Sequence, residues 1–137
     1  MLSTITIALS GLEAASKRLS AGASNIANVQ TAGSLEPGGK APYTPLDTQQ
    51  TAQTDTQGNG QGVRADFVPR QNPFVPAFDP DSPFADEKGI VGLPNVNLAE
   101  EAVNINLAEL QFKANIKTIE TASELSEELL KIFDEEV

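Results

Sequence analysis

The sequence predicts a mainly α fold, with N- and C-terminal helices packed as a coiled-coil-like pair. A proline- and glycine-rich middle joins them, holding at most a short β-hairpin or an extended arm. Three observations predict it. Apolar residues recur at spacings of three and four along both ends of the chain. All nine prolines lie between Pro37 and Pro94, and eight of the ten glycines between Gly33 and Gly92, so the helix breakers are confined to the middle. Only 39% of the 137 residues are hydrophobic, 5% are aromatic and none is Trp, which leaves too little apolar surface for a large core. The chain divides accordingly into an N-terminal helix with its closing turn (1–33), an extended middle (34–94) with a mobile loop over 47–61, and a C-terminal helix (95–137).

In the N-terminal segment, Ile5, Leu9, Leu12, Ser16, Leu19, Ala23 and Ile26 follow one another at steps of 4, 3, 4, 3, 4 and 3, close to a heptad seam. Ala8, Ala14, Ala15, Ala21, Gly22 and Ala27 keep the rest of the helix slim. Gly11 and Gly22 each cost about 1 kcal/mol relative to Ala, so this helix is marginal in isolation. Asn25, Asn28, Thr31 and Gly33 end it, either as a helix cap or as a polar contact surface.

The middle is poor in apolar side chains from Leu46 to Gly62, where Gln, Thr, Asp, Gly and Asn dominate, and a mobile loop is expected there. The one strand candidate is Gly62 to Val68. Pro69, Pro73 and Pro76 bar its extension into a sheet interior. Phe67, Phe74, Phe78 and Phe84 are expected to pin this segment onto a helix.

The C-terminal segment carries the longest uninterrupted pattern. Asn97 can cap the free amides of a helix that begins at Leu98 and meets no breaker before about Phe133, roughly 50 Å at ~1.5 Å per residue. Leu98, Ala102, Ile105, Phe112, Ile116, Ile119, Leu129 and Phe133 form its apolar stripe, and glutamates and lysines, Glu101 among them, fill the remaining circumference.

Composition excludes several functions. There is no His and no Cys, which removes histidine catalysis, histidine or thiolate metal ligation, cysteine nucleophiles and disulfides. The acidic run Asp79, Asp81, Asp86, Glu87 fails as a calcium loop, because Phe84 and Ile90 stand where a glycine and a bidentate glutamate are needed. Gly58, Gly60 and Gly62 are followed by no phosphate-binding lysine. No catalytic, metal or cofactor-binding residue can be named, and no cofactor or small-molecule substrate is expected. The net charge of −10 is spread as +1 over 1–30, −4 over 31–94 and −7 over 95–137, which argues against nucleic acid. The N-terminus lacks a basic leader followed by a continuous apolar run, so no cleaved signal peptide is expected.

Two helices that bury one face each make a slender object with no second layer, so stacking against similar subunits is expected to complete the core. Leu9, Leu12, Leu19 and Ile26 are expected to pack against Ile105, Phe112, Ile116 and Ile119. Ile5 and Leu129 join these residues as candidates for inter-helix and subunit packing, and the leftover faces are expected to contact adjacent subunits. Asn25, Asn28 and Asn115, with Thr31 and Gly33, are candidates for polar contacts that set register. Asp134, Glu135 and Glu136 oppose the helix dipole and call for a basic neighbour, such as Lys17 and Arg18 of another subunit.

The run Ala23-Ser24-Asn25-Ile26-Ala27-Asn28-Val29-Gln30-Thr31-Ala32-Gly33 resembles the N-terminal signature of bacterial flagellar axial proteins, and Phe112-Lys113-Ala114-Asn115-Ile116 resembles an element of their C-terminal helix. The stretch Phe78-Asp79-Pro80-Asp81-Ser82-Pro83-Phe84-Ala85-Asp86-Glu87-Lys88-Gly89-Ile90-Val91, then Leu93-Pro94-Asn95-Val96-Asn97, is similar to the flagellar basal-body rod protein C family. Ala32, Ser34 and Ile90 depart from the usual residues of that pattern.

The resemblance implies a structural subunit of the proximal rod, the drive shaft of the flagellum, exported through the type III channel without a cleaved signal and assembled in the periplasm. Its implied partners are copies of itself, other rod proteins, the inner-membrane ring and the export-gate adaptor. An acidic helical adaptor or secretion chaperone is the alternative reading.

Overall fold

The computed structural model describes residues 2–135, with side chains described for residues 3–132. Two long helices, α1 (Leu2–Ala27) and α2 (Leu98–Glu135), enclose four strands in the sequence: β1 (Leu46–Thr54), β2 (Gly60–Pro69), β3 (Phe74–Phe78) and β4 (Ile90–Pro94). The expected helices are present. Asn97 caps α2, its Oδ1 accepting from the amides of Ala99 (3.0 Å) and Glu100 (3.3 Å).

The middle corrects the expected fold class. It is not an extended proline-rich arm with at most one hairpin, but two antiparallel two-stranded sheets, β1–β2 and β3–β4. The tract expected as a loop from 47 onward is strand through Thr54, paired residue for residue from Leu46↔Pro69 to Ala52↔Val63. Its polar side chains are compatible with a strand because the ribbon is solvated along most of its length, so no apolar alternation is required. The turn is built by Asp55, whose carboxylate accepts from the amides of Gln57 and Asn59 at 2.8 Å and from the Asn59 side chain at 2.9 Å.

Pro76 does not prevent β3–β4 pairing, because it stands opposite Gly92, whose N–H and C=O both turn the other way to Gly33 (2.8 and 3.0 Å). Gly33 is thereby the link between the end of α1 and the small sheet. A Cβ at this position would lie 2.3 Å from the Pro42 nitrogen and 2.6 Å from the Lys40 carbonyl oxygen. The phenylalanines do not pin β3 to a helix: Phe67, on the β2 strand that packs against α1, and Phe78 are exposed, and among the described residues the small sheet makes no contact with either helix.

α1 lies at the centre, with the β1–β2 hairpin against one flank and α2 against another. The hairpin is tied to α1 by Lys17, which donates to the Ala65 carbonyl at 2.6 Å, and by Ser10, whose Oγ accepts from the Val63 amide at 3.1 Å. α2 runs antiparallel to α1. Gly22 abuts Ile105, Arg18 donates to Gln111 Oε1 (2.9 Å), and Gly11 abuts Asn115. In this register the last turns of α2 extend past the N-terminus of α1. Close approach explains the costly glycines: a Cβ on Gly22 would stand 2.9 Å from Ile105 Cγ1, and one on Gly11 2.5 Å from Asn115 Oδ1.

Candidate assembly interface

The core is small in both number and size. Among the described residues, the buried hydrophobic ones are Ala8, Ala14, Ala15, Ala21, Ala65, Val91, Ala108 and Ala122. Burying a methyl group contributes only a fraction of the ~1.5–3 kcal/mol that burying a leucine contributes. The leucines are elsewhere: Leu9 is 53% exposed, Leu107 47%, Leu110 65% and Leu130 65%.

Each residue turns a helix by about 100°, so α1 presents three faces. Gly11, Ala15 and Gly22 meet α2, while Ser10, Ala14, Lys17 and Ala21 turn toward the hairpin. Ile5, Leu9, Leu12, Leu19 and Ile26 fall on the third face. On α2, Asn104, Gln111 and Asn115 turn toward the hairpin side. Ile105, Phe112, Ile116 and Ile119 therefore lie on the opposite flank, beside the third face of α1.

The two expected apolar stripes thus wall one shallow groove on the side away from the hairpin. On α1 small residues, not the apolar stripe, make the closest contact with α2, where Gly22 meets Ile105 of the α2 stripe and Gly11 meets Asn115. Ile5, Leu12, Ile26, Ile105 and Ile119 are half-buried, whereas Leu9, Leu19, Phe112 and Ile116 remain exposed. Leu129 is 42% exposed on the overhanging end of α2. Asp134, Glu135 and Glu136, expected to need a basic neighbour, lie outside the residues whose side chains are described. Lys17 and Arg18, named as that neighbour, are engaged within the chain by Ala65 and Gln111.

The polar candidates separate into distinct roles. Asn25 is fully buried. Its Nδ2 donates to the Leu46 carbonyl (2.8 Å) and to Glu101 Oε1 (3.0 Å); its Oδ1 accepts from the Leu46 amide (2.9 Å) and the Tyr43 hydroxyl (3.1 Å). Asn28 donates to the Ser24 carbonyl at 2.9 Å, and Thr31 Oγ1 lies 3.3 Å from Asn28 Oδ1, a local closure of the helix end. Asn115 donates to the Gln111 carbonyl at 2.8 Å and fills the space left by Gly11.

Two residues that the sequence placed elsewhere or passed over complete the Asn25 cluster. Glu101, assigned to the solvated face of α2, is buried, and its Oε1 also accepts from Arg70 Nη2 at 2.7 Å. Arg70 additionally donates through Nε (3.0 Å) and Nη2 (2.7 Å) to Asp47 Oδ1, and through Nη1 (3.1 Å) to the Asn95 carbonyl. The end of α1, the base of the hairpin and the first turn of α2 are thus locked at one point. Hydrogen bonding to Asp47, reinforced by Glu101 against the opposing effect of burial, holds the Arg70 guanidinium above its ordinary range. Burial, then the negative charge of Glu101, raises the Tyr43 phenol above its usual value.

A second ridge was also passed over: Val103, Leu107, Leu110 and Ala114 lie on the flank of α2 away from the groove, at steps of 4, 3 and 4, and all are exposed. The spacing was available in the sequence, but the first apolar stripe masked it. Among the described residues, no group of three or more acidic side chains could hold a metal ion, and no helix is long and apolar enough to cross a membrane. The Asp86 carboxylate, part of the acidic run, accepts from the Lys88 and Ile90 amides at 2.8 Å, and the Ile90 bond holds its pKa below the usual range.

Comparison with known proteins finds relatives along the chain. Residues 5–33 match the family described as flagella basal body rod protein, and residues 87–132 match the flagellar basal body rod FlgEFG protein C-terminal family. The chain is 32% identical over 126 residues to the flagellar basal-body rod protein FlgC of Escherichia coli O6:H1, covering 91% of this chain and 92% of that protein. It is 33% identical over 125 residues to FlgC of Salmonella typhimurium, with the same coverage, and 31% identical over 157 residues to FlgC of Borreliella burgdorferi, covering 97% of each. The resemblance at both helices and through residues 78–97 therefore extends along nearly the whole chain, which belongs to the flagellar basal-body rod protein C family.

Proposed function

We propose that this chain is a structural subunit of the proximal rod of the bacterial flagellar basal body, polymerising through its terminal helices to transmit torque. The observation that carries this reading is the misplacement of apolar surface: alanines fill the core while Leu9, Leu19, Leu107, Leu110 and Phe112 are exposed on both long helices. Such helices gain their missing contacts from neighbours, and close-packed contacts resist shear without yielding.

The role is structural and not catalytic. Its neighbours are copies of itself and other rod proteins, with the inner-membrane ring and export-gate adaptor at the base. The chain reaches the periplasmic rod without a cleaved signal peptide, and a weak core with no cysteine suits passage through an export channel in an unfolded state.

The test is deletion and return of the gene in a motile parent strain. Loss of swimming, with recovery of the chain at its unprocessed mass in purified basal bodies after complementation, is expected. Intact rods and normal motility without the chain would refute the reading.

A further inference from the structure

We propose that Asn59, at the tip of the β1–β2 hairpin, is a site of self-modification, where the backbone nitrogen of Gly60 displaces the side-chain amide of Asn59 and the residue ends as isoaspartate or aspartate. The proposal goes beyond the rod-subunit reading and does not depend on it.

Four observations select this residue. Asn59 alone among the asparagines precedes a glycine; each of the others precedes Ile, Val or Leu, whose bulk hinders attack on the carboxamide, or Pro, which has no N–H to give up. Asn59 and Gly60 are both exposed, so water and base reach them. The attacking nitrogen is not tied into the ladder. The Asp55 amide donates to the Asn59 carbonyl at 3.0 Å, which makes 55 and 59 a hydrogen-bonded pair, and the next pair, Thr54↔Gly60, is then of the kind whose amides turn away from the partner strand. Space is open as well, since nothing lies within 4 Å of where a Gly60 Cβ would stand. The carboxamide itself donates to Asp55 Oδ2 at 2.9 Å, an exposed bond that water replaces at little cost.

Water is the only co-reactant. Base takes the Gly60 amide proton, the nitrogen bonds to Asn59 Cγ, and the Cγ–Nδ2 bond breaks as ammonia leaves with a proton, closing a succinimide ring. Water then opens the ring, at Cγ to give aspartate or at the main-chain carbonyl carbon to give isoaspartate, whose backbone runs through the former side chain. Either product brings a new carboxylate beside Asp55 in place of the donor it held, and isoaspartate also lengthens the turn. The tip of the hairpin loosens, while the ties from Ser10 and Lys17 to Val63 and Ala65 remain.

The purified full chain is incubated in mildly alkaline water labelled with heavy oxygen and mapped by peptide mass spectrometry, beside Gly60→Ala, which the open space admits and whose circular dichroism is expected to match the parent. The Asn59 peptide is expected to gain the amide-to-acid mass change with one heavy oxygen and to separate into isoaspartyl and aspartyl forms. The peptides holding Asn25, Asn28 and Asn115 are expected to stay unchanged. Gly60→Ala is expected to slow the conversion by about tenfold or more, because its methyl group hinders the approach of nitrogen to carbon.

An Asn59 that keeps its amide while a peptide of residues 55–64 converts fully, aspartate formed without isoaspartate, or conversion of Gly60→Ala at the parent rate would overturn the proposal. Hydrogen exchange in the converted chain is expected to rise over residues 53–61 and to stay at the parent level in α1; unchanged exchange at the tip would overturn its loosening. None of these results bears on the rod-subunit reading, which the deletion experiment tests by itself.

Discussion

Replacing Asn25 by alanine removes four hydrogen bonds from a fully buried position. Two of the abandoned groups, the Leu46 amide and carbonyl, are backbone groups at the base of the hairpin, and each buried polar group left unpaired costs about 1–3 kcal/mol. Glu101 keeps Arg70 as a partner, and the Tyr43 hydroxyl is only half-buried, so these two add little. The expected loss is about 3–4 kcal/mol.

Asn28→Ala provides the internal comparison. Its side chain bonds only the Ser24 carbonyl and Thr31 at the helix end, and its loss is expected to cost about 1 kcal/mol or less. Urea unfolding followed by circular dichroism separates the two. With a slope of about 1–3 kcal/mol per molar urea, Asn25→Ala shifts the midpoint by roughly 2 M or abolishes the folded baseline, and Asn28→Ala shifts it by well under 1 M. Equal shifts for the two variants, or an unaltered midpoint with assembly blocked by Asn25→Ala, would show that Asn25 is a contact between subunits and not the internal tie described here.

Arg70→Leu leaves Glu101 buried without its cation and is expected to destabilise the chain by about 3–5 kcal/mol; adding Glu101→Leu should recover part of that loss, a coupling read from a double-mutant cycle of urea midpoints. Gly33→Ala should cost at least about 2 kcal/mol by the same assay, since the new methyl meets backbone atoms of Lys40, Ala41 and Pro42 that cannot rotate aside. Tyr43 is the sole tyrosine and there is no Trp, so its ionisation can be followed alone by ultraviolet absorbance. Because its folded-state value is raised, the folded chain holds the phenolic proton more tightly than the unfolded chain. Its contribution is complete below about pH 10 and is lost as pH rises through the higher folded value. A titration midpoint at the ordinary tyrosine value would contradict the burial of that hydroxyl beside Glu101.

Both helices were legible because periodicity over many turns outweighs local noise, and the α2 start was legible because Asn97 is a capping residue with no breaker after it. Periodicity identifies a stripe without saying whether it faces in or out. Ile5 to Ile26 form an unbroken heptad pattern on α1, yet the closest approach to α2 uses Gly11, Ala15 and Gly22, whose small size gave no hydrophobic signal. β1 was hidden because a solvated two-stranded ribbon needs no apolar alternation, and β3 because Pro76 was read without the partner, Gly92, that has no need of its N–H. Glu101 looked like any other glutamate of an acidic helix. Only the fold brings Arg70, 31 positions away, to its carboxylate.

Hydrogen exchange resolved along α2, measured on the isolated full chain and again on purified basal bodies, bears most directly on whether neighbours complete this subunit. The amides near Glu101, held by the Asn25 cluster, should be protected in both, whereas those around Leu129 to Ile132, which extend past α1 with their leucines in water, should exchange freely in the isolated chain and become protected in the rod. Strong protection of that end in the isolated chain, or none in the rod, would contradict the account.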